Sequence, residues 1–366
     1  MDNQLLYQIA LTMIPEIGCI HAKNLLDNFG SAANIFNAKK KDLAQLTGIG
    51  EIRAKNIKNF SNFNAAEKEI QFLKKNGFQS HFILSPQYPN RLIHCNDAPI
   101  LLYYQGNANL NEKRIISIVG TRNHSDYGKQ ITEQFISELP KENVLIISGL
   151  AYGIDAIAHR ACLKYQIPTI GVLAHGLDML YPYQHRSLAK DMVNHGGLLT
   201  EFRRNTLPEK FNFPQRNRIV AGLSDVTLVI ETAIKGGSMI TANLAFGYDK
   251  FVVALTGKFT DAKSKGCLAL IKNNIAAPFT GTEDFFTLLG WDQQKKLGNP
   301  QRQLFYELSK QEAIIMELLK DQLPKSFDEL HLKSAMSSSA VAAAVLNLEL
   351  NQVIQALPGK MFQQLA

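Results

Sequence analysis

The stretch Ile115-Ile116-Ser117-Ile118-Val119-Gly120-Thr121-Arg122 decides the fold of this chain. It is a short apolar run that ends in a glycine, a small polar residue and a cation. Further apolar runs follow it, separated by stretches of helical pattern, at residues 144–147, 169–173, 198–200, 226–230 and 251–255. This alternation is typical of a parallel sheet covered by helices on both faces. We therefore predict an α/β fold built on an extended Rossmann-like domain.

Glycines follow several of these runs at the expected carboxyl ends of the strands. Three segments share this position: Gly120-Thr121-Arg122, Ser148-Gly149 and Gly236-Gly237-Ser238. Parallel strands bring such segments to one edge of a sheet, where ligands bind. Arg122 can hold a phosphate through two parallel hydrogen bonds, and the glycines permit close backbone approach. Ser238 is expected to be the N-cap of a helix whose amides face the same anion.

The densest group of cations and rings is Lys210-Phe211-Asn212-Phe213-Pro214-Gln215-Arg216-Asn217-Arg218. Single-stranded nucleic acid is held by this mixture, because cations follow its backbone while an exposed ring such as Phe213 stacks a base. Arg216, Asn217 and Arg218 are expected in the first turn of a helix, where cations oppose the helix dipole and suit an anionic ligand better than stability. The alternative is a basic helix start with both phenylalanines in the core.

Composition agrees with an anionic partner. Lysine and arginine number 39 against 32 acidic residues, a net charge of +7, and 46% of the residues are apolar. The four cysteines lie far apart in the chain, so no zinc or redox pair is expected. No apolar stretch is long enough to cross a bilayer, and the first residues lack a basic start. We expect a cytoplasmic protein without membrane contact.

The flanking segments predict two smaller modules. Residues 17–24 return as residues 49–56, each copy with a glycine turn between helices, which indicates a helix-hairpin-helix pair that either contacts DNA or only packs. In the tail, predicted helices at 311–320, 326–332 and 337–350 precede a hairpin at 353–364, the order of a winged helix. Its third helix has no lysine or arginine, which favours protein contact over duplex reading. The expected domains are 1–80, 81–290, a linker at 291–308, and 309–366.

Six strings in the chain resemble the DprA/Smf family of DNA-processing proteins. They are VGTRNHSDYG, SGLAYGIDAIAHRA, the YP of HGLDMLYP, FPQRNRIVAGLS, GGSMITANLA and SKGCLALI. The resemblance implies binding of single-stranded DNA without sequence preference, loading of the RecA recombinase, and protection of incoming DNA during natural transformation. It places the DNA pocket on Arg122, Lys210, Phe213 and the Arg216/Arg218 segment. It also implies a homodimer through the Rossmann domain, with contacts expected at Leu268, Leu270 and Ile271.

Catalysis is the main alternative. Asp155 and His159 lie four residues apart, the spacing of a metal or acid–base pair, but no third ligand is evident. A buried Asp–His hydrogen bond that fixes the helix is the preferred interpretation, so we expect no metal, no cofactor and no enzyme activity. Phosphoribohydrolases of the lysine-decarboxylase-like group resemble the predicted sheet. They carry a catalytic glutamate after the glycine loop, and no glutamate follows Gly236-Gly237-Ser238 here.

Overall fold

The computed structural model describes residues 3–291, 308–351 and 353–365. Except for its two end residues, the linker expected at 291–308 lies outside the described residues. The N-terminal module consists of helices α1 Asn3–Leu11, α2 Cys19–Phe29, α3 Ala32–Asn37, α4 Lys40–Ala44, α5 Gly50–Lys58 and α6 Phe63–Asn76. Helices α2 and α5 each follow one of the two repeated turns, as the sequence repeat predicts.

The two repeated turns are bonded to each other reciprocally. Asn24 donates its side-chain amide to the Thr47 carbonyl at 2.8 Å, and the equivalent Asn56 donates to the Pro15 carbonyl at 3.2 Å. Gly48 has a φ of 83°, a left-handed conformation that favours glycine. The repeat therefore builds a pseudo-symmetric pair in which each hairpin satisfies a carbonyl of the other.

A single large sheet forms the central module. Its strands are β1 Gln79–Phe82, β2 Leu101–Gly106, β3 Arg114–Val119, β4 Val144–Ser148, β5 Thr169–Val172, β6 Gly196–Thr200, β7 Val226–Val229, β8 Phe251–Leu255 and β9 Ala277–Phe279. They lie in the order β1-β2-β6-β5-β4-β3-β7-β8-β9, and all neighbours from β6 to β9 are parallel. The six predicted strands are confirmed to within two residues; β1, β2 and β9 were not predicted.

Helices cover both faces of this sheet. They are α7 Asn90–Ile93, α8 Asp126–Glu138, α9 Ile154–Tyr165, α10 Arg186–Asn194, α11 Asn212–Leu223, α12 Gly237–Gly247, α13 Lys265–Lys272 and α14 Thr282–Leu288, with a 3₁₀ turn at Tyr183–His185. Ile116 and Ile118 of β3 pack with α8 and α9, whereas Ile115 and Val119 pack with α11 and α12. Burial on both faces explains why these strands are continuous apolar runs.

The expected dimer contact at α13 needs a correction. Leu270 is fully buried against the sheet and cannot contact another chain, whereas Leu268 and Ile271 are half-buried, with Ile271 also packed against the core. The expected contact assigned Leu268, Leu270 and Ile271 to one surface. In a helix, however, residues two apart do not share a face, so one of the three leucine and isoleucine positions must point inward.

The winged-helix prediction is confirmed. The elements are α15 Lys310–Leu318, β10 Lys325–Ser326, α16 Phe327–Ser334, α17 Ser338–Leu350, β11 Ile354–Leu357 and β12 Met361–Gln364, with strand order β10-β12-β11. Ser309, Ser326 and Ser337 cap the three helices, which accounts for where they begin. Nowhere in the described residues is a helix long and apolar enough to cross a membrane.

Candidate nucleic-acid interface

A cavity of about 370 Å³ opens at the carboxyl ends of the central strands. Loops after β3, β4 and β7 and the first turns of α11 and α12 form its wall. Its lining includes Gly120, Thr121, Arg122, Gly149, Ala151, Asp155, Phe213, Pro214, Arg216, Asn217, Thr232, Gly236, Gly237 and Ser238. The predicted edge of the sheet therefore does collect most of the predicted residues in one place.

Arg122 and Phe213, which are far apart in sequence, meet at this cavity. The guanidinium carbon of Arg122 lies 5.7 Å from the ring centroid of Phe213. Arg122 is exposed and forms no ion pair within the described residues, while Phe213 is half-buried. A cation over a ring, with both groups partly open to solvent, can contact a phosphate and a base together.

Arg216 also lines the cavity, but as a fixed wall. It is buried, and one terminal nitrogen donates to the carbonyls of Gly149, at 2.5 Å, and of Val172. Burial lowers the pKa of Arg216 to about 10, so it remains protonated at neutral pH. Helix α11 begins at Asn212, so the expectation that Arg216 lies in the first turn was wrong. The protein holds the Arg216 guanidinium in place. The guanidinium therefore does not need to move before its positive charge can attract an anion.

Asp155 lies beside this wall as a buried carboxylate. It accepts the backbone N–H of Gly149 at 3.1 Å and of Ala151 at 3.3 Å. Burial raises the pKa of Asp155, and the Arg216 charge and these N–H groups oppose that rise. Of the described cavity-lining residues, Asp155 is the one carboxylate.

Arg218 does not reach the cavity. It is buried in an ion pair with Glu201, and it also donates to the Asp97 carbonyl. Burial alone would lower the pKa of Arg218, but the Glu201 and Asp97 carboxylates contribute to a net rise. Residues two apart on a helix point to different sides, so Arg216 and Arg218 of α11 cannot both face one ligand.

Three glycines of the cavity differ in the reason why a side chain is absent at each position. A Cβ on Gly149 would lie 2.5 Å from the Arg216 guanidinium, and a Cβ on Gly120 would lie 2.5 Å from the Ile154 side chain. Both glycines therefore make room for neighbouring side chains. A Cβ on Gly237 would meet nothing within 4 Å, so only this one of the three leaves backbone open towards solvent.

Two serines differ from their expected positions. Ser148 is fully buried and its hydroxyl donates to the Ile118 carbonyl at 2.6 Å, so it is committed to the sheet. Ser238 is not an N-cap, because α12 begins at Gly237 with Gly236 as cap residue. Ser238 lies within the first turn and is almost buried, and the backbone of that turn lines the cavity. Lys210 is exposed ahead of α11, outside the cavity lining.

The expected Asp155–His159 hydrogen bond is not formed. His159 Nδ1 instead lies 2.7 Å from the Thr169 hydroxyl, and complete burial lowers the pKa of His159 to about 3. Both residues still tie helix α9 to the sheet and its loops, each through a different partner. The described part of the chain contains no cluster of histidine, cysteine or carboxylate side chains suited to a metal.

A smaller pocket of about 60 Å³ adjoins the cavity. It shares Arg122, Phe213 and Arg216 and adds Tyr152, Tyr181 and His175. Sequence reasoning did not select these tyrosines, although the Tyr181-Pro182 pair was among the strings that carried the family resemblance. Their role depends on the approach of loops after β4 and β5, which periodicity alone does not reveal.

Together, a tandem helical hairpin, a Rossmann-like sheet with a cationic, ring-lined cavity and a winged helix define a modular protein suited to nucleic acid. A family model described as DNA recombination-mediator protein A matches residues 79–290. Models of a SAM-like helix-hairpin-helix tandem and of a DprA winged helix match residues 9–60 and 300–360. The chain belongs to the DNA recombination-mediator protein A family, also called DprA/Smf.

Relatives match the chain over different lengths. Protein Smf of Synechocystis is 30% identical over 99% of both chains. The crystal structure of DNA processing protein A from Streptococcus pneumoniae aligns with a TM-score of 0.68 at 30% identity, covering 78% of this chain and 98% of that one. A Helicobacter pylori structure, reported for its single-stranded DNA binding mode, aligns with a TM-score of 0.53 at 29% identity over 59% and 96%. Family membership assigns this chain to DNA processing, as a recombination mediator.

Proposed function

We propose that the strand-end cavity binds single-stranded DNA without sequence preference. The observation that carries this proposal is the pairing of Arg122, an exposed cation without an ion-pair partner in the described residues, with the ring of Phe213 at the mouth of the cavity. A phosphate would contact Arg122 and the open backbone at Gly237, and Arg216 would supply a fixed positive charge behind it. The helix N-terminus of α12 adds a favourable dipole.

A single strand fits this arrangement better than a duplex. Stacking on a ring requires an exposed base face, which a duplex hides within its own stack. Phe213 offers part of one ring, and Phe211, 82% exposed, offers a second at the approach to the cavity. Ring stacking tolerates every base, so these contacts carry no sequence preference. The single-stranded DNA binding reported for the Helicobacter pylori relative supports the same assignment.

Lys210, Asn217 and the backbone around Gly120 and Gly149 complete the proposed interface. Lys210 is exposed beside Phe211 and would contact the strand outside the cavity. Asn217 lines the cavity with its amide 3.4 Å from the Gly237 carbonyl, a weak contact that a ligand can replace. Ser148 and Arg218 do not contact the strand directly in this proposal, because both side chains are bonded within the protein.

We further propose that the bound strand is delivered to the RecA recombinase and protected as incoming DNA in natural transformation. This part rests on family membership and on a mode of binding that leaves the strand accessible along an open cavity. Binding of RecA to the complex of this protein with DNA, measured by pull-down with labelled oligonucleotide, tests it directly.

The binding proposal is tested by fluorescence anisotropy with single- and double-stranded oligonucleotides at two salt concentrations. We expect preference for the single strand and a log–log salt slope of about −0.7 for each phosphate contacted. Equal affinity for duplex, or affinity that does not respond to salt, would overturn the proposal. A base-release assay on nucleoside monophosphates serves as the control for phosphoribohydrolase activity, for which we expect no product.

A homodimer through the central module is also proposed, with its contact shifted outward from Leu270. Leu268 and Ile271 are half-buried on α13, and Phe259 in the preceding loop is 84% exposed. A two-fold axis repeats every interface residue, so one introduced charge appears twice. Ile271→Arg is expected to give a folded monomer by light scattering, while Leu332→Arg, on the exposed side of the winged helix, remains dimeric. A dimeric Ile271→Arg protein would place the contact elsewhere.

A further inference from the structure

A second pair of a ring and a guanidinium lies where the 3₁₀ turn meets α10, directly after Tyr181 and Pro182 of the smaller pocket. Tyr183 is 68% exposed, and the guanidinium carbon of Arg186 lies 5.9 Å from its ring centroid. This repeats the arrangement of Arg122 over Phe213, at 5.7 Å. Like Arg122, Arg186 is exposed and forms no ion pair with any described residue.

Other arginines that lie over rings are engaged in the architecture. Arg204, over Phe72, is bound to the buried Glu69 between the N-terminal and central modules. Arg114, over Trp291, donates to the Trp291 carbonyl. The Arg122 and Arg186 pairs differ from these because, among the residues that the structure describes, the cation has no acceptor of comparable strength: there Arg186 reaches only the Tyr183 hydroxyl, at 3.5 Å.

Tyr181 connects the two pairs into one row of rings. Its centroid lies 5.9 Å from that of Phe213 in an edge-to-face contact, and its side chain is 46% exposed. The Cα atoms of Tyr181 and Tyr183 are at most about 7 Å apart, because two residues span no more than that. Tyr183 therefore lies close in the chain to a ring that contacts Phe213, and Phe213, Tyr181 and Tyr183 are together called the row of rings.

The turn that carries Tyr183 is held by its neighbours. Tyr152 donates to the Gln184 side chain at 2.5 Å, and His185 Nδ1 lies 2.9 Å from the Leu150 carbonyl. Tyr183 itself adds little to the core, because most of its surface is open to solvent. A rigid turn that presents an exposed ring reduces the entropy lost when a ligand stacks on it.

We propose that Tyr183 and Arg186 form a further nucleotide subsite for a strand that leaves the cavity along this row. Tyr183 stacks a base and Arg186 contacts the adjacent phosphate, while Tyr181 guides the strand between the two ring–cation pairs. The inference rests on the proposed binding of single-stranded DNA. It adds a direction for the strand, from α11 towards α10, and a minimum length for full affinity.

The test uses the full chain and labelled oligothymidylates from about 4 to about 16 nucleotides, the range of single-strand site sizes. Tyr183→Ala is expected to bind the shortest oligonucleotides like the parent and to lose about 5- to 150-fold in affinity for the longest. Tyr183→Phe keeps the ring and is expected to keep the affinity. Phe246→Ala, which removes an exposed ring at the other end of α12, is the matched control and is expected to have no effect.

A direct readout comes from Tyr183→Trp. The chain contains one tryptophan, Trp291, so the variant adds a second fluorophore at the proposed subsite. Stacking by a base is expected to quench its emission with long oligonucleotides and not with the shortest ones. This signal reports contact with the ring and does not depend on whether Tyr183→Ala alters the turn.

Three results would overturn the subsite: parent-like binding by Tyr183→Ala at every length, equal weakening at every length, or an unquenched Tyr183→Trp. In the first case Phe213→Ala and Arg122→Ala tell the two proposals apart. If they weaken binding at all lengths, the cavity holds the strand and only the subsite fails. If they too bind like the parent, the proposed function itself fails.

Discussion

The helical hairpins and the strand-end cavity both combine glycine turns with cations, yet they differ in whether those cations are already bonded. In the hairpins, Arg53 donates to the Glu16 carbonyl at 3.0 Å and to the Gly48 carbonyl at 3.1 Å. Lys58 likewise donates to the Phe36 carbonyl at 2.6 Å. In the cavity, Arg122 has no such acceptor in the described part of the chain. A glycine–cation motif thus indicates a ligand site only where the fold leaves its donors unsatisfied.

The cavity contains the same contrast on a smaller scale. Arg216 is bonded to strand-end carbonyls, while Arg122 is free at the rim, although both line one space. The first shapes the cavity and supplies a fixed charge, and the second can move to meet a phosphate. Substitutions that separate stability from affinity test this difference.

The largest expected effect is on stability, from Arg216→Ala. Removing this buried guanidinium leaves the Gly149 and Val172 carbonyls without their donor and takes away the nearby positive charge that offsets the burial of Asp155, which costs about 3–5 kcal/mol of unfolding free energy. Urea unfolding measures it. Arg122→Ala is the matched control at the same cavity, and its exposed side chain should change stability by less than about 0.5 kcal/mol. Equal midpoints for both variants would mean that Arg216 is not a structural residue.

The affinity for single-stranded DNA should depend on Arg122, whose removal leaves stability nearly unchanged. Arg122→Ala is expected to weaken single-strand binding and make the log–log salt slope shallower by about 0.7, the share of one phosphate. Arg122→Lys should recover the slope and only part of the affinity, because an ammonium cannot form two parallel hydrogen bonds. Arg53→Ala, in the hairpins, should leave affinity and slope unchanged. Anisotropy titrations measure both variants. If Arg53→Ala weakens binding and Arg122→Ala does not, the DNA site lies on the N-terminal module.

The smallest expected effect concerns the reciprocal bonds of the hairpins. Asn56→Ala and Asn24→Ala should each lower the unfolding free energy by about 1 kcal/mol, the typical value of one hydrogen bond, without changing DNA affinity. Lys55→Ala, an exposed neighbour on α5, is the control and should be neutral. If either asparagine variant weakens DNA binding at unchanged stability, the hairpins contact DNA and the contrast with the cavity does not hold.

The sequence predicted the parallel strands well because residues such as Ile115 and Ile116 are buried on opposite faces, so successive positions are apolar; Ser117, the polar exception, is buried with its hydroxyl bonded to Thr227. Strands β1, β2 and β9 were missed. β1 alternates weakly and pairs antiparallel with β2, while β9 has only three residues and includes Pro278. The winged helix was predicted from the order of its three helices and the hairpin that follows them. Such local signals remain valid because they depend on residues close in the chain.

Amino-acid order alone indicated the parallel strands of the central module and that their glycines and cations gather at one edge of a sheet, because strand direction is set by the alternation of strand and helix. Only the tertiary structure decided how each cation is used. Arg218 turns to Glu201 and Arg216 to the carbonyls of Gly149 and Val172, whereas Arg122 stays at the rim over Phe213. The reason is that a hydrogen-bond partner distant in sequence becomes a neighbour only when helices and strands pack, and a donor satisfied there is no longer available to a ligand.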